Sequence, residues 1–306
     1  MTSRQMVVSR YGEVRALLSD PALSVVPAPR PPFALTVAWL RGAVGRFADG
    51  ALHTRRRAAA MEVLAGLDPR ALRAEAFRRA SSSAGESGTV PIELVPVEVL
   101  AVALGVRAQE GAQAARAVAD FAAAYLPVPS AAGNPEKIGN AGNAGDTGGA
   151  GKAGDTGETA VADAGLARLA RLLGDPEPER LAVVAGLLAQ ACDSTAGLIR
   201  NALAAGAAAC PVEDLLAETL RHDPPVRVLR RTVTRPGGGA SGEPGTLVLL
   251  DVAAANRDPE VFDEPELFRP GRAQEHLTFG AGSRPCPGRE VALALAAGVV
   301  EAVKGR

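Results

Sequence analysis

The chain has 306 residues, of which 47% are hydrophobic, and this is enough apolar material for one large domain or two small ones with a sizeable core. A formal net charge of −1 gives no reason to expect binding to nucleic acid or to an anionic membrane. Three cysteines argue against a disulfide framework and for a reducing cytoplasm.

Two further absences bear on localisation. The N-terminus lacks the apolar core of a signal peptide. The longest apolar run, Leu181 to Cys192, is too short to span a bilayer before Asp193 interrupts it. We therefore expect a soluble, cytoplasmic protein that inserts into no membrane.

Short elements are predicted near the start of the chain. Gln5 to Arg10 is a β-rich run, and Gly12 to Leu18 predicts a helix that ends at the sequence S-D-P. Pro27 to Pro32 is a proline-rich loop.

A basic pair stands at the head of the next predicted helix, in D-G-A-L-H-T-R-R-R (Asp49 to Arg57). His53 and Arg57 are four residues apart and therefore share one face of the helix. Two cations on one face can bind a desolvated carboxylate. Taken alone, the same pair is also typical of a solvated, basic helix start.

The composition changes abruptly after a mainly helical stretch, Thr89 to Tyr125. From Gly139 to Gly157 glycine recurs at every third position, as in collagen, but the run contains no proline and only seven glycines at that period. We predict a low-complexity, Gly-rich linker over residues 132–159.

Polar residues interrupt the next helix, which is predicted over Glu179 to Ala205 as one long buried element. Gln190, Asp193, Ser194 and Thr195 stand in its middle. Buried polar groups cost free energy unless they have partners, so they indicate a function, a local distortion or a polar cluster that faces another helix.

An ion pair and a short strand are predicted downstream. Pro211 to His222 is a short helix on which Glu218 and Arg221 are three residues apart. Such a pair contributes only tenths of a kcal/mol when it is exposed. Val226 to Thr234 is a β-like run that contains Arg231.

The last candidate is the loop F-G-A-G-S-R-P-C-P-G-R, from Phe279 to Arg289. An apolar helix begins near Arg289, so Cys286 lies at a helix N-terminus, where the dipole and free N–H groups favour a thiolate. A rigid thiolate suits the axial position on a haem iron. For C-P-G alone, a buried free cysteine in a Gly/Pro loop is the simpler interpretation.

The whole loop resembles the haem-binding loop of the cytochrome P-450 family, F-x-x-G-x-R-x-C-x-G, with every fixed position filled. Three other segments resemble motifs of that family in the same order. They are the H-x-x-x-R of its propionate site (His53, Arg57), its oxygen-activating G-x-[DE]-T (A-C-D-S-T, from Ala191) and its E-x-x-R (Glu218, Arg221). The resemblance covers residues 6–304.

The resemblance implies haem b as the cofactor, with Cys286 as the metal ligand. The implied cofactor-binding residues are His53, Arg57, Arg231, Phe279, Gly280, Arg284, Cys286 and Gly288, and the implied catalytic residues are Asp193, Ser194 and Thr195. Glu218 and Arg221 would brace the haem core with a further arginine. Arg269 and Arg272 are both candidates, because P-E-L-F stands where the family has P-E-R-F.

The implied fold is mainly α with a small β-sheet (α+β), as one haem-binding domain over residues 1–306. It would be shortened at both ends, and the Gly-rich linker would replace the lid. The implied activity is monooxygenation of a small or carrier-bound organic substrate in secondary metabolism. Electrons would come from ferredoxin and ferredoxin reductase, since the chain has no G-x-G-x-x-G fingerprint of its own.

Two other functions remain open from the sequence. A haem enzyme that needs no external electrons (a peroxygenase, dehydratase or isomerase) is favoured by Ala191, which replaces the motif's glycine, and by the shortened lid. A non-catalytic binding or scaffold relative is favoured by the truncations.

Overall fold

The computed structural model describes residues 5–82, 90–125, 155–206, 210–239 and 242–305. Its helices are α1 (Tyr11–Leu18), α2 (Val37–Ala43), α3 (Gly50–Ala65), α4 (Pro69–Ser82), α5 (Val95–Ala103), α6 (Gly111–Tyr125), α7 (Asp155–Leu172), α8 (Pro178–Ala205), α9 (Val212–His222), α10 (Val252–Ala255) and α11 (Arg289–Lys304). Its strands are β1 (Gln5–Val8), β2 (Leu23–Ser24), β3 (Val228–Val233) and β4 (Leu247–Asp251).

The four strands form one small mixed sheet in the order β1-β4-β3-β2. β1 runs parallel to β4, whereas β3 is antiparallel to both β4 and β2. Arg231 pairs with Val248 in the β3–β4 register, which fixes the position of its side chain on the sheet. One hydrophobic cluster joins this sheet to α1 and α10.

A second, larger hydrophobic cluster joins the helices. Its close contacts depend on small residues. At Gly298 of α11, a β-carbon would overlap the backbone of α4, and at Gly186 of α8 it would overlap the side chain of Val44. The mainly helical fold with a small sheet is therefore confirmed.

The long helix and the helix after the cysteine are confirmed, at Pro178–Ala205 and Arg289–Lys304. The stretch predicted as mainly helical, Thr89 to Tyr125, is mainly helical in its described part and consists of α5 and α6. The chain turns at Gly105, whose φ of 117° is a left-handed conformation that favours glycine. A short 3-10 turn, Ala108–Glu110, then leads into α6.

The Gly-rich linker was predicted over residues 132–159, and residues 132–154 lie outside the described part of the chain. For the last five residues, 155–159, the prediction of a linker is wrong, because α7 already begins at Asp155. The physical reason is the run E-T-A-V-A-D-A, residues 158–164, whose alanines favour a helix and extend it back over Gly157.

Helix α8, which contains the apolar run Leu181 to Cys192, is long and apolar enough to cross a membrane by length and composition alone. However, 67% of its most apolar window is buried within the protein. That degree of burial is what the core helix of a globular domain shows.

Candidate functional site

The cysteine loop is held in one conformation by its own backbone. The N–H of Cys286 donates to the carbonyl of Phe279 at 2.7 Å, and the N–H of Gly280 donates to Leu277 at 2.8 Å. Gly280 and Gly282 have φ angles of 71° and 69°, which side chains other than glycine rarely adopt.

The same loop is anchored to the rest of the molecule at two points. At Gly282 a β-carbon would lie 2.7 Å from the carbonyl oxygen of Leu18, so only glycine allows this approach to α1. Asn256 is fully buried, and its side chain accepts from the N–H of Leu277 at 2.7 Å and donates to Thr278 at 2.9 Å. Nothing in the sequence shows that Asn256 positions the cysteine loop.

Cys286 is exposed to solvent, yet surrounding protein desolvates its thiol and raises its pKa above the usual value. A hydrogen bond from Gly288 and the charges of Arg57, Arg46 and Arg289 act in the opposite direction but do not reverse the shift. The hydrogen bond and the charges act in the direction that the helix N-terminus predicts, toward the thiolate. A metal ion that binds this sulfur would displace its proton.

Cationic side chains collect beside this loop. Arg284 donates to the carbonyl of Ala48 at 3.0 Å and to Asp49 at 2.6 Å. Burial is the main cause that lowers the pKa of His53, and the positive charges of Arg284 and Arg57 lower it further. The structure thus brings three of the predicted propionate-binding residues into one electrostatic neighbourhood.

Arg231 is the fourth of the predicted propionate-binding residues, and it is only 9% exposed. Burial, with Arg284 and Arg46, lowers the pKa of Arg231 to about 10. Its side chain donates to the backbone carbonyl of Arg230 at 2.9 Å. Within the described ranges, no carboxylate lies within 4.0 Å of Arg231 or Arg57.

These side chains form an excess of positive charge around a solvent-accessible thiol, with Asp49 as the acidic partner of Arg284 alone. A buried cation without an acidic partner is unstable unless an anion joins it. Haem b carries two carboxylates and an iron that binds thiolate. The residues present therefore fit this group. Arg46 belongs to the same set, although no motif in the sequence singles it out.

The polar residues of α8 point in different directions. Ser194 is half-buried, and its hydroxyl donates to the carbonyl of Gln190 at 2.6 Å. Asp193 is an exposed residue, but neighbouring protein partly desolvates its carboxyl and raises its pKa. The charge of Arg200 acts in the opposite direction and is the smaller effect. Thr195 is 2% exposed, and its hydroxyl has no hydrogen-bond partner among the described residues.

The predicted ion pair on α9 is a buried network. Arg221 donates to both carboxylate oxygens of Glu218, at 2.8 and 2.7 Å, and both side chains are 2% exposed. Arg221 also donates to the carbonyls of Asn256, Pro265 and Leu267. A pair this well enclosed differs from the exposed pair considered from sequence, because removal of either partner leaves a buried charge.

The two candidate arginines have different positions. The side chain of Arg272 reaches Glu218 at 3.4 Å and is 6% exposed. Arg269 offers Glu218 only its backbone N–H, at 2.7 Å, and its half-exposed side chain pairs with Glu264. Arg272 is therefore the arginine whose side chain completes the network.

A cavity of about 380 Å³ lies between α4, α9 and α11 and is lined in part by the cysteine loop. His276, to which the sequence assigned no role, lines it together with Phe279 and Arg289. Burial, with the charge of Arg289, lowers the pKa of His276 to about 4. The imidazole is therefore neutral near pH 7.

Sequence comparison identifies relatives of the C-terminal part of the chain. The family model named Cytochrome P450 matches residues 212–295. Pulcherriminic acid synthase of Bacillus subtilis (strain 168) is 37% identical over 86 residues, which are 24% of this chain and 21% of that protein. Beta-dihydromenaquinone-9 omega-hydroxylase of Mycobacterium tuberculosis (strain ATCC 25618 / H37Rv) is 39% identical over 84 residues, or 26% and 17%. These matches span about a fifth of the relatives' length.

Structural comparison extends over nearly the whole chain. CalO2 superposes with a TM-score of 0.71 at 20% identity, covering 98% of this chain and 82% of that one. P450BioI, solved with an acyl carrier protein bearing hexadec-9Z-enoic acid, gives 0.70 at 18% identity, covering 96% and 83%. The segment matched by the family model contains Glu218, Arg221, Arg231 and Cys286. Residues 212–295 therefore match the Cytochrome P450 family model, and the chain has the fold of solved cytochrome P450 structures such as P450BioI. Members of that family bind haem b through a cysteine thiolate.

Proposed function

We propose that the protein is a haem-thiolate monooxygenase that oxidises a small or carrier-bound organic substrate in secondary metabolism. The observation that carries this proposal is the group of cationic side chains beside the accessible thiol of Cys286. Arg231 and Arg57 have no carboxylate within 4.0 Å in the described part of the chain. The family relationship supports it.

In this proposal Cys286 binds the haem iron through Sγ, and Phe279, Gly280 and Gly288 give the loop its shape. Haem propionates would accept hydrogen bonds from the cationic residues His53, Arg57, Arg231 and Arg284. When bound, haem would supply the activation of dioxygen with two electrons, and the Cys286 thiolate would make its iron more electron-rich.

The chain itself would supply protons from α8. The raised pKa of Asp193 lets its carboxyl hold a proton at higher pH than an ordinary aspartate, and its exposure gives access to solvent. Ser194 carries a hydroxyl proton one residue further along. The Thr195 hydroxyl, which has no hydrogen-bond partner among the described residues, can form a new hydrogen bond. We assign these three residues to proton delivery.

Electron donors, substrate and location are part of the same proposal. Ferredoxin and ferredoxin reductase would supply electrons, and the protein would act in the cytoplasm without nucleic acid or membrane partners. A carrier-tethered substrate is supported by the bound acyl carrier protein of P450BioI. The curated relatives include a synthase and a hydroxylase, which supports oxidative biosynthesis.

One observation favours a second candidate, a haem enzyme without external electrons. The Ser194 hydroxyl donates its proton to the carbonyl of Gln190 at 2.6 Å, so in this conformation it is not available for relay. Ala191 also fills the position at which the family motif has glycine. Dependence of turnover on a ferredoxin system separates the two candidates.

The first test is the visible absorption spectrum of the reduced, haem-loaded protein with carbon monoxide. We expect a strongly red-shifted Soret band that Cys286→Ala abolishes and Cys210→Ala, at a half-buried cysteine, leaves unchanged. A band at the imidazole-like position would refute thiolate ligation. Failure to bind haem after reconstitution would refute both enzymes and favour a scaffold.

A further inference from the structure

Two buried polar groups near α8 have no partner. The Nε of Arg41 and the hydroxyl of Tyr125 are both buried, and neither has a hydrogen-bond partner among the described residues. Tyr125 is fully buried. Native structures satisfy nearly all such groups, so an orphaned donor indicates a water or ligand that completes the site.

Both groups flank the ring of Phe47. The guanidinium of Arg41, near the end of α2, lies 5.1 Å from the centre of that ring. The ring of Tyr125, at the end of α6, approaches it edge-on with 5.4 Å between centroids. The two orphaned donors therefore belong to one cluster rather than to separate packing defects.

The charge around this cluster is positive. Arg41 and Arg46 both act to lower the pKa of Tyr125, although burial dominates and raises it. Arg46 also lies over the Phe47 ring, at 5.9 Å. In the ranges that the structure describes, no carboxylate lies within 4.0 Å of either arginine. The occupant that this field favours is an anion that accepts hydrogen bonds, rather than a neutral molecule.

We propose that Arg41 and Tyr125 form a subsite for the carboxylate head group of an elongated apolar substrate. This inference deepens the proposed function and rests on it. The acceptor oxygens would take the free Arg41 Nε–H and Tyr125 O–H, and Phe47 would cover the first carbon atoms. A carboxylate suits this pair because the planar guanidinium offers parallel donors.

The cluster also fixes the length of the substrate. The Tyr125 hydroxyl lies 4.0 Å from the position a Gly186 β-carbon would take, so it is beside that residue of α8. Ser194 follows Gly186 by eight residues, or about 12 Å along a helix that rises 1.5 Å per residue. An extended alkyl chain of medium length covers that distance. The carboxylate would thus bind at one end and the carbon near Ser194 would be oxidised.

The test compares dodecanoate with 1-dodecanol, which differ only in the head group, on the full-length, haem-loaded protein. The chain has one tryptophan, Trp39, two residues before Arg41, so its fluorescence reports binding at α2 independently of haem ligation. The Soret band reports displacement at the iron. The variants are Arg41→Gln and Tyr125→Phe, with the exposed Arg171→Gln and the distant Tyr11→Phe as matched controls.

We expect Arg41→Gln to weaken dodecanoate binding at least tenfold, Tyr125→Phe to weaken it about threefold to tenfold, and neither to change 1-dodecanol binding by more than twofold. The two control variants should bind dodecanoate and 1-dodecanol with the same affinities as the wild type. Equal losses for both probes, or no loss for dodecanoate, would overturn the subsite and leave water as its occupant. An absent thiolate band with a normal Trp39 titration would refute the monooxygenase alone.

Discussion

At the scale of single residues, Arg231 shows how a cofactor site can oppose stability. Its guanidinium is 9% exposed, and burial with two neighbouring arginines lowers its pKa to about 10. A lowered pKa of a base means that the fold disfavours the charged form at neutral pH. A haem propionate, however, would bind to that same positive charge of Arg231.

We therefore predict opposite effects of Arg231→Gln on the two forms of the protein. The free energy of unfolding of the haem-free protein should rise by on the order of 1–3 kcal/mol, since a desolvated charge is removed. Haem affinity should fall at least tenfold. Thermal unfolding and haem titration measure these, with exposed Arg230→Gln as control. A less stable haem-free variant would contradict the prediction.

A second residue-scale prediction concerns the Glu218 network. Arg272→Gln should lower the free energy of unfolding by about 2–3 kcal/mol, because it removes a nearly buried partner of Glu218 and donors to the carbonyls of Asp263, Glu264 and Leu267. Arg269→Gln keeps the backbone N–H that binds Glu218, so its cost should stay below about 1 kcal/mol. Urea unfolding of both variants checks this, and the reverse order would refute it.

The same network shows where sequence reasoning stops. Glu218 and Arg221 could be paired from sequence because three residues on a helix place them side by side. Arg269 and Arg272 both follow P-E-L-F, and only their distances from Glu218 distinguish them. The orphaned groups of Arg41 and Tyr125 could not be predicted, since an unmade hydrogen bond leaves no pattern in the chain.

At the scale of elements, α1 depends on a residue far away in the chain. Arg10, at its N-cap, provides no side-chain cap. Instead, the first helical N–H, that of Tyr11, donates to the carboxylate of Asp258 at 2.8 Å. This bond and one from the N–H of Glu260 hold the pKa of Asp258 below its ordinary value of 3.8.

This arrangement predicts a pH dependence. Because the folded pKa lies below the unfolded one, the stability contributed by Asp258 is complete above the ordinary value of 3.8 and is lost as pH falls through the folded pKa. Asp258→Asn should cost about 1–2 kcal/mol at pH 7 and weaken the acid dependence below pH 4. Unfolding curves from pH 7 to pH 2 test this, with exposed Asp263→Asn as control. Parallel curves for Asp258→Asn and wild type would count against it.

The sequence predicted elements well where one pattern continued and poorly where the chain bent. Helices α8 and α11 follow from long apolar runs without proline. The break between α5 and α6 depends on a positive φ at Gly105, and glycine in a sequence does not reveal its φ. The start of α7 at Asp155 was missed because a glycine period concealed the alanines that follow it.

At the scale of the whole molecule, the candidate site joins two separate hydrophobic clusters. His53 and Arg57 are on α3, which packs with the helical cluster, whereas Arg231 is on β3, which belongs to the sheet cluster. The cysteine loop touches α1 at Gly282 and leads into α11. A ligand that binds all of these residues would tie the sheet to the helices.

We therefore predict that haem loading protects both clusters together. Backbone amides of α3 and β3 should exchange hydrogen at least tenfold more slowly in the haem-loaded protein, because binding to the folded state suppresses its local opening. Amides of α7, which contributes no residue to the set, should change little. Hydrogen exchange by mass spectrometry measures this, and Arg231→Gln should selectively reduce the protection of β3. Protection limited to the cysteine loop would mean that the cations on α3 and β3 do not share one anionic ligand, and the site would then lack its unifying cofactor.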